Sequence, residues 1–200
     1  MLREHEINKT NPFIRGYYTD TGICEVIIEE SKRNADKFVQ EFNRDFTVTR
    51  LENFGPMCTK FWVGELAKSL KQYKDEFEYA YKNLDFWTLR RDIKVNHFAP
   101  NQGADNWHCQ NNGVIENSNK HLVYITFLND VNDGGELEFF HQKLSVKPEV
   151  GLTLIWPADW THTVRTVVSE KEDKYSLTGS LVFDTTKAFI DMGEQNANKS

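Results

Sequence analysis

Three side chains suited to holding a divalent metal stand at positions 108, 110 and 162. In Trp107-His108-Cys109-Gln110 an imidazole and an amide are separated by one residue. A second imidazole, His162, lies in Leu154-Ile-Trp-Pro-Ala-Asp-Trp-Thr-His162-Thr-Val-Arg165. Residues i and i+2 of a strand share a face, so His108 and Gln110 are expected to converge while Cys109 turns away. His162 is far enough along the chain for several strands to bring it alongside. Two imidazoles and one oxygen donor take one face of a transition metal and leave the other face open, and only neutral imidazole is a ligand. The oxygen donor here is an amide. Gln110 can coordinate through its oxygen, but it brings no negative charge, which predicts weaker metal binding and a changed charge balance.

Downstream, Lys174-Tyr-Ser-Leu-Thr178 begins an apolar stretch. Strand alternation places Lys174, Ser176, Thr178 and Ser180 on one face. Four polar residues on one side of such a strand need polar company inside a core. A dicarboxylate ligand would supply it, with Lys174 as its point-charge partner.

Elements must position these groups. The apolar residues Ile23, Val26, Ile27, Ala35, Phe38, Val39 and Phe42 predict a helix from Asp20 to about Phe42, with Asp20 or Thr21 as its N-cap. The stripe Val63, Leu66, Ala67, Leu70, Tyr73, Phe77, Ala80, Tyr81 and Leu84 predicts a second helix from Phe61 to about Leu84, its aromatic side a packing face. After Phe86 the period shortens. Strands are expected at Ile93–Phe98, His121–Leu128, Glu136–His141, Gly151–Trp156, Thr163–Val168 and Tyr175–Phe183, separated by turn signals such as Asn132-Asp-Gly-Gly135. Helices first and strands afterwards give an α+β class: an antiparallel barrel or sandwich buttressed by N-terminal helices.

Length and composition bound the rest. Two hundred residues with 39% apolar content suit one globular domain. No apolar run is long enough to span a bilayer, and the N-terminus lacks the apolar core of a secretory signal, so a soluble cytoplasmic protein is expected. Three widely spaced cysteines support neither a disulfide framework nor a structural zinc site. A net charge of −6 argues against a nucleic-acid binder that works by neutralising phosphates.

The stretch from Ile93 to Phe183 resembles the prolyl 4-hydroxylase-like branch of the Fe(II)/2-oxoglutarate oxygenases, in particular small members from bacteria and phages. The resemblance rests on Phe98-Ala-Pro100-Asn-Gln-Gly103 before Trp107-His108 and on Phe127-Leu-Asn-Asp-Val-Asn-Asp-Gly134-Gly135. It continues through Val146-Lys-Pro148-Glu-Val-Gly151, Thr161-His162-Thr and Lys174-Tyr-Ser-Leu-Thr-Gly. It implies a double-stranded β-helix (jelly roll) over residues 91–184, a mainly helical support over 1–90 and a tail over 185–200, all in one domain. It also implies Fe(II) held by His108, Gln110 and His162, with 2-oxoglutarate and O2 as cosubstrates and ascorbate as accessory reductant. Lys174 would pair with the distal carboxylate of 2-oxoglutarate, with Ser176, Thr178, Phe98 and Phe127 around it. The implied reaction hydroxylates a C–H bond, often of a prolyl residue in a protein or peptide.

Three positions depart from the family pattern. Gln110 replaces the usual Asp or Glu, and Phe98 and Phe127 stand where relatives often carry tyrosines that hydrogen-bond the cosubstrate. Recognition of the cosubstrate therefore falls more heavily on Lys174 and Ser176. The alternative reading is a jelly roll with weakened or lost catalysis, kept as a binding module. Halogenation is disfavoured because Gln leaves no gap for a halide at position 110. Nucleic-acid demethylation is disfavoured because the last strand lacks additional arginines.

Overall fold

In the computed structural model, which describes residues 1–42, 44–84 and 86–183, eleven strands are arranged in two sheets. They are β1 (Arg15–Tyr18), β2 (Val39–Gln40), β3 (Thr47–Arg50), β4 (Trp87–Leu89), β5 (Lys94–Phe98) and β6 (Lys120–Phe127). The series continues with β7 (Leu137–Phe139), β8 (Leu144–Val146), β9 (Leu152–Pro157), β10 (Val164–Thr166) and β11 (Lys174–Phe183). The tail expected over 185–200 lies outside the described residues. The larger sheet runs β1-β9-β6-β11-β5-β3-β2, with β4 also paired to β11, and the smaller runs β10-β7-β8. Every pairing is antiparallel.

The helices depart from the sequence-based expectation at identifiable residues. Asp20 does cap the first helix, α1 (Thr21–Arg33), accepting a hydrogen bond from the Gly22 amide at 2.8 Å. The helix stops at Asn34, whose side-chain amide donates to the Glu30 carbonyl at 2.8 Å, so it does not reach Phe42. Val39 and Phe42 continue the apolar rhythm but are exposed, and Val39 begins β2. The second helix, α2 (Pro56–Glu76), starts before Phe61. Gly55 takes a φ of +95° that suits only glycine, and Pro56 brings a φ already set for a first helical position. A break at Phe77 separates α2 from the short α3 (Glu78–Lys82). Residues 1–90 are thus less helical than expected, because they contribute β1 to β4 to the large sheet. Among the described residues, no helix is long and apolar enough to cross a membrane.

Alternation along the strands builds two apolar layers. From one face of the large sheet Tyr17, Val95, Tyr124, Ile155, Leu177 and Leu181 pack against the helices, joined by Ile27, Trp62, Leu66 and Tyr73. Trp62 and Tyr124 meet with ring centroids 5.3 Å apart. From the other face Val123, Ile125, Phe127, Leu152, Leu154 and Trp156 meet Leu137, Phe139, Val146 and Val164 of the small sheet. Each large apolar side chain buried this way contributes on the order of 1.5–3 kcal/mol relative to exposure. The second layer does not fill the whole inter-sheet space, and the remainder is a polar cavity.

Candidate active site

The cavity has a volume of about 480 Å3 and runs along the inner face of β11. Lys174, Ser176, Thr178 and Ser180 all line it, as the alternation predicts, while Leu177 and Leu181 enter the helix-facing core. The neighbouring strand β5 adds Lys94, Asn96 and Phe98 by the same rule.

Lys174 marks one end. Its side chain is almost fully buried, at 2% exposure, and its Nζ donates to the Gly135 carbonyl at 3.2 Å. It also sits 4.3 Å from the centre of the Phe98 ring, a cation–π distance. Burial pushes its pKa down to about 7, with Glu136 only partly opposing. Beside it, Asn96 donates to the hydroxyls of Thr178 at 2.9 Å and Ser176 at 3.3 Å. Phe98 lines the cavity, but Phe127 lies fully buried in the apolar layer and is not among the cavity-lining residues.

His108 also lines the cavity. It lies on an isolated bridge rather than on a regular strand: its amide donates to the Val164 carbonyl at 2.9 Å and its carbonyl accepts from the Val164 amide at 2.8 Å. Its Nδ1 stands 2.9 Å from the Asn106 carbonyl. A carbonyl can only accept, so Nδ1 carries the proton and the Nε2 lone pair is left free. Burial, reinforced by Arg44 and opposed by the Asn106 contact, lowers its pKa and keeps the ring neutral.

Gln110 borders the same space, and its Oε1 accepts a hydrogen bond from Lys120 Nζ at 3.3 Å. Lys120 is itself pushed down in pKa by burial and by Arg90 and Lys94.

His162 is buried in the short turn Trp160–His162, and it is not among the residues lining the cavity. Its ring lies in the field of Asp159, the Pro12 carbonyl and His141, and burial lowers its pKa. Its Nδ1 is 2.8 Å from the Thr161 hydroxyl, which is bonded in turn to Asp159. The hydroxyl proton goes to the carboxylate, so the Thr161 oxygen accepts from Nδ1–H. Its Nε2 is buried with no hydrogen-bond partner among the described residues.

Both imidazoles are thus neutral and hydrogen-bonded at Nδ1, and the His162 ring also lies against the Pro12 carbonyl. That is the state in which histidine binds a transition metal, with the second nitrogen oriented by an oxygen acceptor. The donor set fits a divalent metal in chemistry. The structure brings His108, Gln110, Phe98, Lys174, Ser176 and Thr178 to one cavity, and His162 and Phe127 are not among the residues that line it.

Several lining residues were not anticipated. Arg44, Arg90, Lys94, Asn96 and Lys120 reach the cavity from four separate segments. Only the Lys94-Val-Asn96-His-Phe98 alternation was readable from sequence.

Residues 93–181 match the family model described as the 2OG-Fe(II) oxygenase superfamily. No curated protein matches the chain. Among solved structures, a Pseudomonas putida prolyl-4-hydroxylase superposes with a TM-score of 0.67 at 12% identity, over 89% of this chain and 96% of that one. A viral collagen prolyl hydroxylase from Paramecium Bursaria Chlorella virus-1, in its 2OG complex, gives 0.64 at 12% identity over 87% and 98%. A Trichoplax adhaerens prolyl hydroxylase, in complex with a hypoxia inducible factor oxygen degradation domain peptide fragment, gives 0.64 at 13% identity over 90% and 88%. At these identities the likeness is one of fold.

Proposed function

We propose, from the match of residues 93–181 to the 2OG-Fe(II) oxygenase superfamily model and from the fold likeness to prolyl hydroxylases, that the protein is an Fe(II)- and 2-oxoglutarate-dependent hydroxylase. The two sheets are read as the halves of a double-stranded β-helix. The observation that carries the reading is Lys174, a buried cation with no ion-pair partner among the described residues, in the same cavity as a neutral histidine with a free Nε2. A buried charge without a partner is costly, and a ligand carboxylate offsets that cost.

Lys174 would pair with the distal carboxylate of 2-oxoglutarate, with the Ser176 and Thr178 hydroxyls held ready by Asn96 and the Phe98 ring as an apolar wall. Phe127 supports β6 by packing rather than by touching the cosubstrate. His108, His162 and Gln110 would hold Fe(II), their neutral nitrogens and amide oxygen giving a site without anionic protein ligands. When bound, Fe(II) with 2-oxoglutarate and O2 supplies the oxidising power to insert one oxygen atom into a C–H bond while 2-oxoglutarate leaves as succinate and CO2. Val123, Ile125 and Trp156 give the otherwise polar cavity an apolar stretch of wall.

Prolyl residues of a protein or peptide are the substrate class suggested by the prolyl hydroxylase folds. Succinate release by the purified chain, followed across a panel of proline-containing peptides, tests this reading. Succinate formation that depends on Fe(II) and 2-oxoglutarate supports it, and none with any peptide or without one contradicts it. The second reading, a binding module without turnover, is favoured by one contact: the Gln110 oxygen is turned to Lys120.

A further inference from the structure

The helical layer holds a second cavity, of about 570 Å3, separate from the one along β11. It is a groove lined by residues of α1 and α2 and by Phe54 just before α2. Phe54 and Cys58 are buried in it, whereas Val26, Met57 and Phe61 stand 46%, 60% and 60% exposed. The fold does not use these three side chains. The core face of α2 is Cys58, Trp62, Leu66, Ser69 and Tyr73, and α1 is buried through Cys24, Ile27 and Ser31. Met57 and Phe61 stand one turn apart on a neighbouring face of α2, and Val26 lies beside the core face of α1. Three large apolar side chains exposed along one groove mark a surface that another molecule covers.

Charge distinguishes the occupant. Asp20, Glu30 and Glu65 border the groove, and no cation lines it among the described residues. The Asp20 amide donates to a Glu65 carboxylate oxygen at 3.4 Å, which sets these two together at one end. Glu30 comes ten residues after Asp20, about 15 Å along α1 at 1.5 Å per residue. Arg33 and Lys68 reach Glu30 and Glu65 from exposed positions one turn further along the same helices. Exposed pairs of this kind contribute little and yield to a cation that sits over the groove itself.

We infer that this groove docks an amphipathic helix of another protein, with an apolar face about three turns long and a lysine or arginine near each end. The length of the groove along α1 sets the number of turns, and the carboxylates at its two ends set the sign and spacing of the charges. A second copy of this chain, docked through the same face, would bring these carboxylates against each other. They repel an anionic membrane surface for the same reason. The helices pack on the face of the large sheet opposite the active-site cavity, so a docked helix leaves that cavity open. The surface therefore goes beyond the hydroxylase reading and stands without it.

Selection from a displayed library of random peptides of about 16 residues tests it, with the full chain as bait and Phe61→Asp as counter-bait. Phe61 and Val26 lie outside the core, so Phe61→Asp and Val26→Asp should melt like the parent. Enriched peptides should carry apolar residues at helical spacing between two basic ends. They should bind the parent at least about tenfold more tightly than either Asp variant. Glu30→Gln and Glu65→Gln should each weaken binding about threefold or more and flatten its salt dependence. Enrichment of acidic or uncharged peptides, or of none that tell the parent from both Asp variants, overturns the proposal. A dimer that both Asp variants turn into monomer overturns it in favour of a second copy. Binding to phosphatidylglycerol vesicles that both variants abolish overturns it in favour of a lipid surface.

Discussion

The amide oxygen of Gln110 accepts a hydrogen bond from the ammonium of Lys120 at 3.3 Å. The side chain proposed to stand in place of an acidic iron ligand is thereby linked to a cation. A carboxylate at 110 would face two positive partners at once, the metal and Lys120, and its charge would be divided between them.

Gln110→Glu, which keeps the side-chain shape, is expected to tighten Fe(II) binding and raise uncoupled decarboxylation of 2-oxoglutarate. The double variant Gln110→Glu with Lys120→Gln should tighten it further, because the competing ammonium is gone. Metal titrations of the four proteins of this cycle measure the coupling directly. If the parent binds Fe(II) more tightly than Gln110→Glu, the amide is the tuned ligand and not a weakness.

Lys174→Ala should weaken 2-oxoglutarate binding by about 2–5 kcal/mol, the range for truncating one partner of a buried charge pair. A calorimetric titration reads this, and an unchanged constant would place the dicarboxylate elsewhere.

The depressed pKa of Lys174 sets a pH dependence. With a folded value of about 7, the empty site loses its ammonium as pH rises above 7, so binding a dianion there requires uptake of a proton. The 2-oxoglutarate affinity should fall by up to tenfold per unit between about pH 7 and 9. Stability moves the other way. The unfolded chain, with a lysine near its ordinary value of 10.5, binds more protons between pH 7 and 10.5, so the contribution of Lys174 to stability grows across that window and is lost as pH falls through 7. A flat affinity from pH 7 to 9 would mean that Lys174 stays charged without its ligand.

Gly134 adopts a φ of +75°, and a Cβ there would stand 2.2 Å from the Val168 carbonyl oxygen. Gly134→Ala should therefore cost about 1–3 kcal/mol or more through strain and a backbone clash. The adjacent Gly135 carbonyl holds Lys174 Nζ, so the same change should also weaken 2-oxoglutarate binding. Thermal melting and a cosubstrate titration on one sample check both effects.

Much of this architecture was legible. The strands from β5 onward follow apolar alternation and turn residues, except the short β8 (Leu144–Val146), which was not expected, and β11 presents Lys174, Ser176 and Thr178 to the cavity as its pattern requires. Helical periodicity misled at Phe38, Val39 and Phe42, where Asn34 had already ended the helix. Gly55-Pro56 was an available start signal for α2, and the β-branched run Thr47-Val48-Thr49 was one for β3. The cationic side of the cavity was not legible. Arg44, Lys94 and Lys120 come from segments far apart in sequence, and only the pairing of β2 with β3, of β3 with β5, and of β5 and β6 with β11 brings them to one cavity. Strand alternation expected His108 and Gln110 on one face and Cys109 turned away; all three line the cavity, because the local backbone is a single bridge rather than a strand, and alternation said nothing about the turn that carries His162.

The central claim is that this cavity binds Fe(II) and 2-oxoglutarate together. Anaerobic addition of Fe(II) and 2-oxoglutarate to the purified chain should produce the weak visible metal-to-ligand charge-transfer band of that ternary complex, and the band should be lost in His108→Ala and in His162→Ala. A featureless visible spectrum with the unaltered protein, or a band that survives both substitutions, would contradict it.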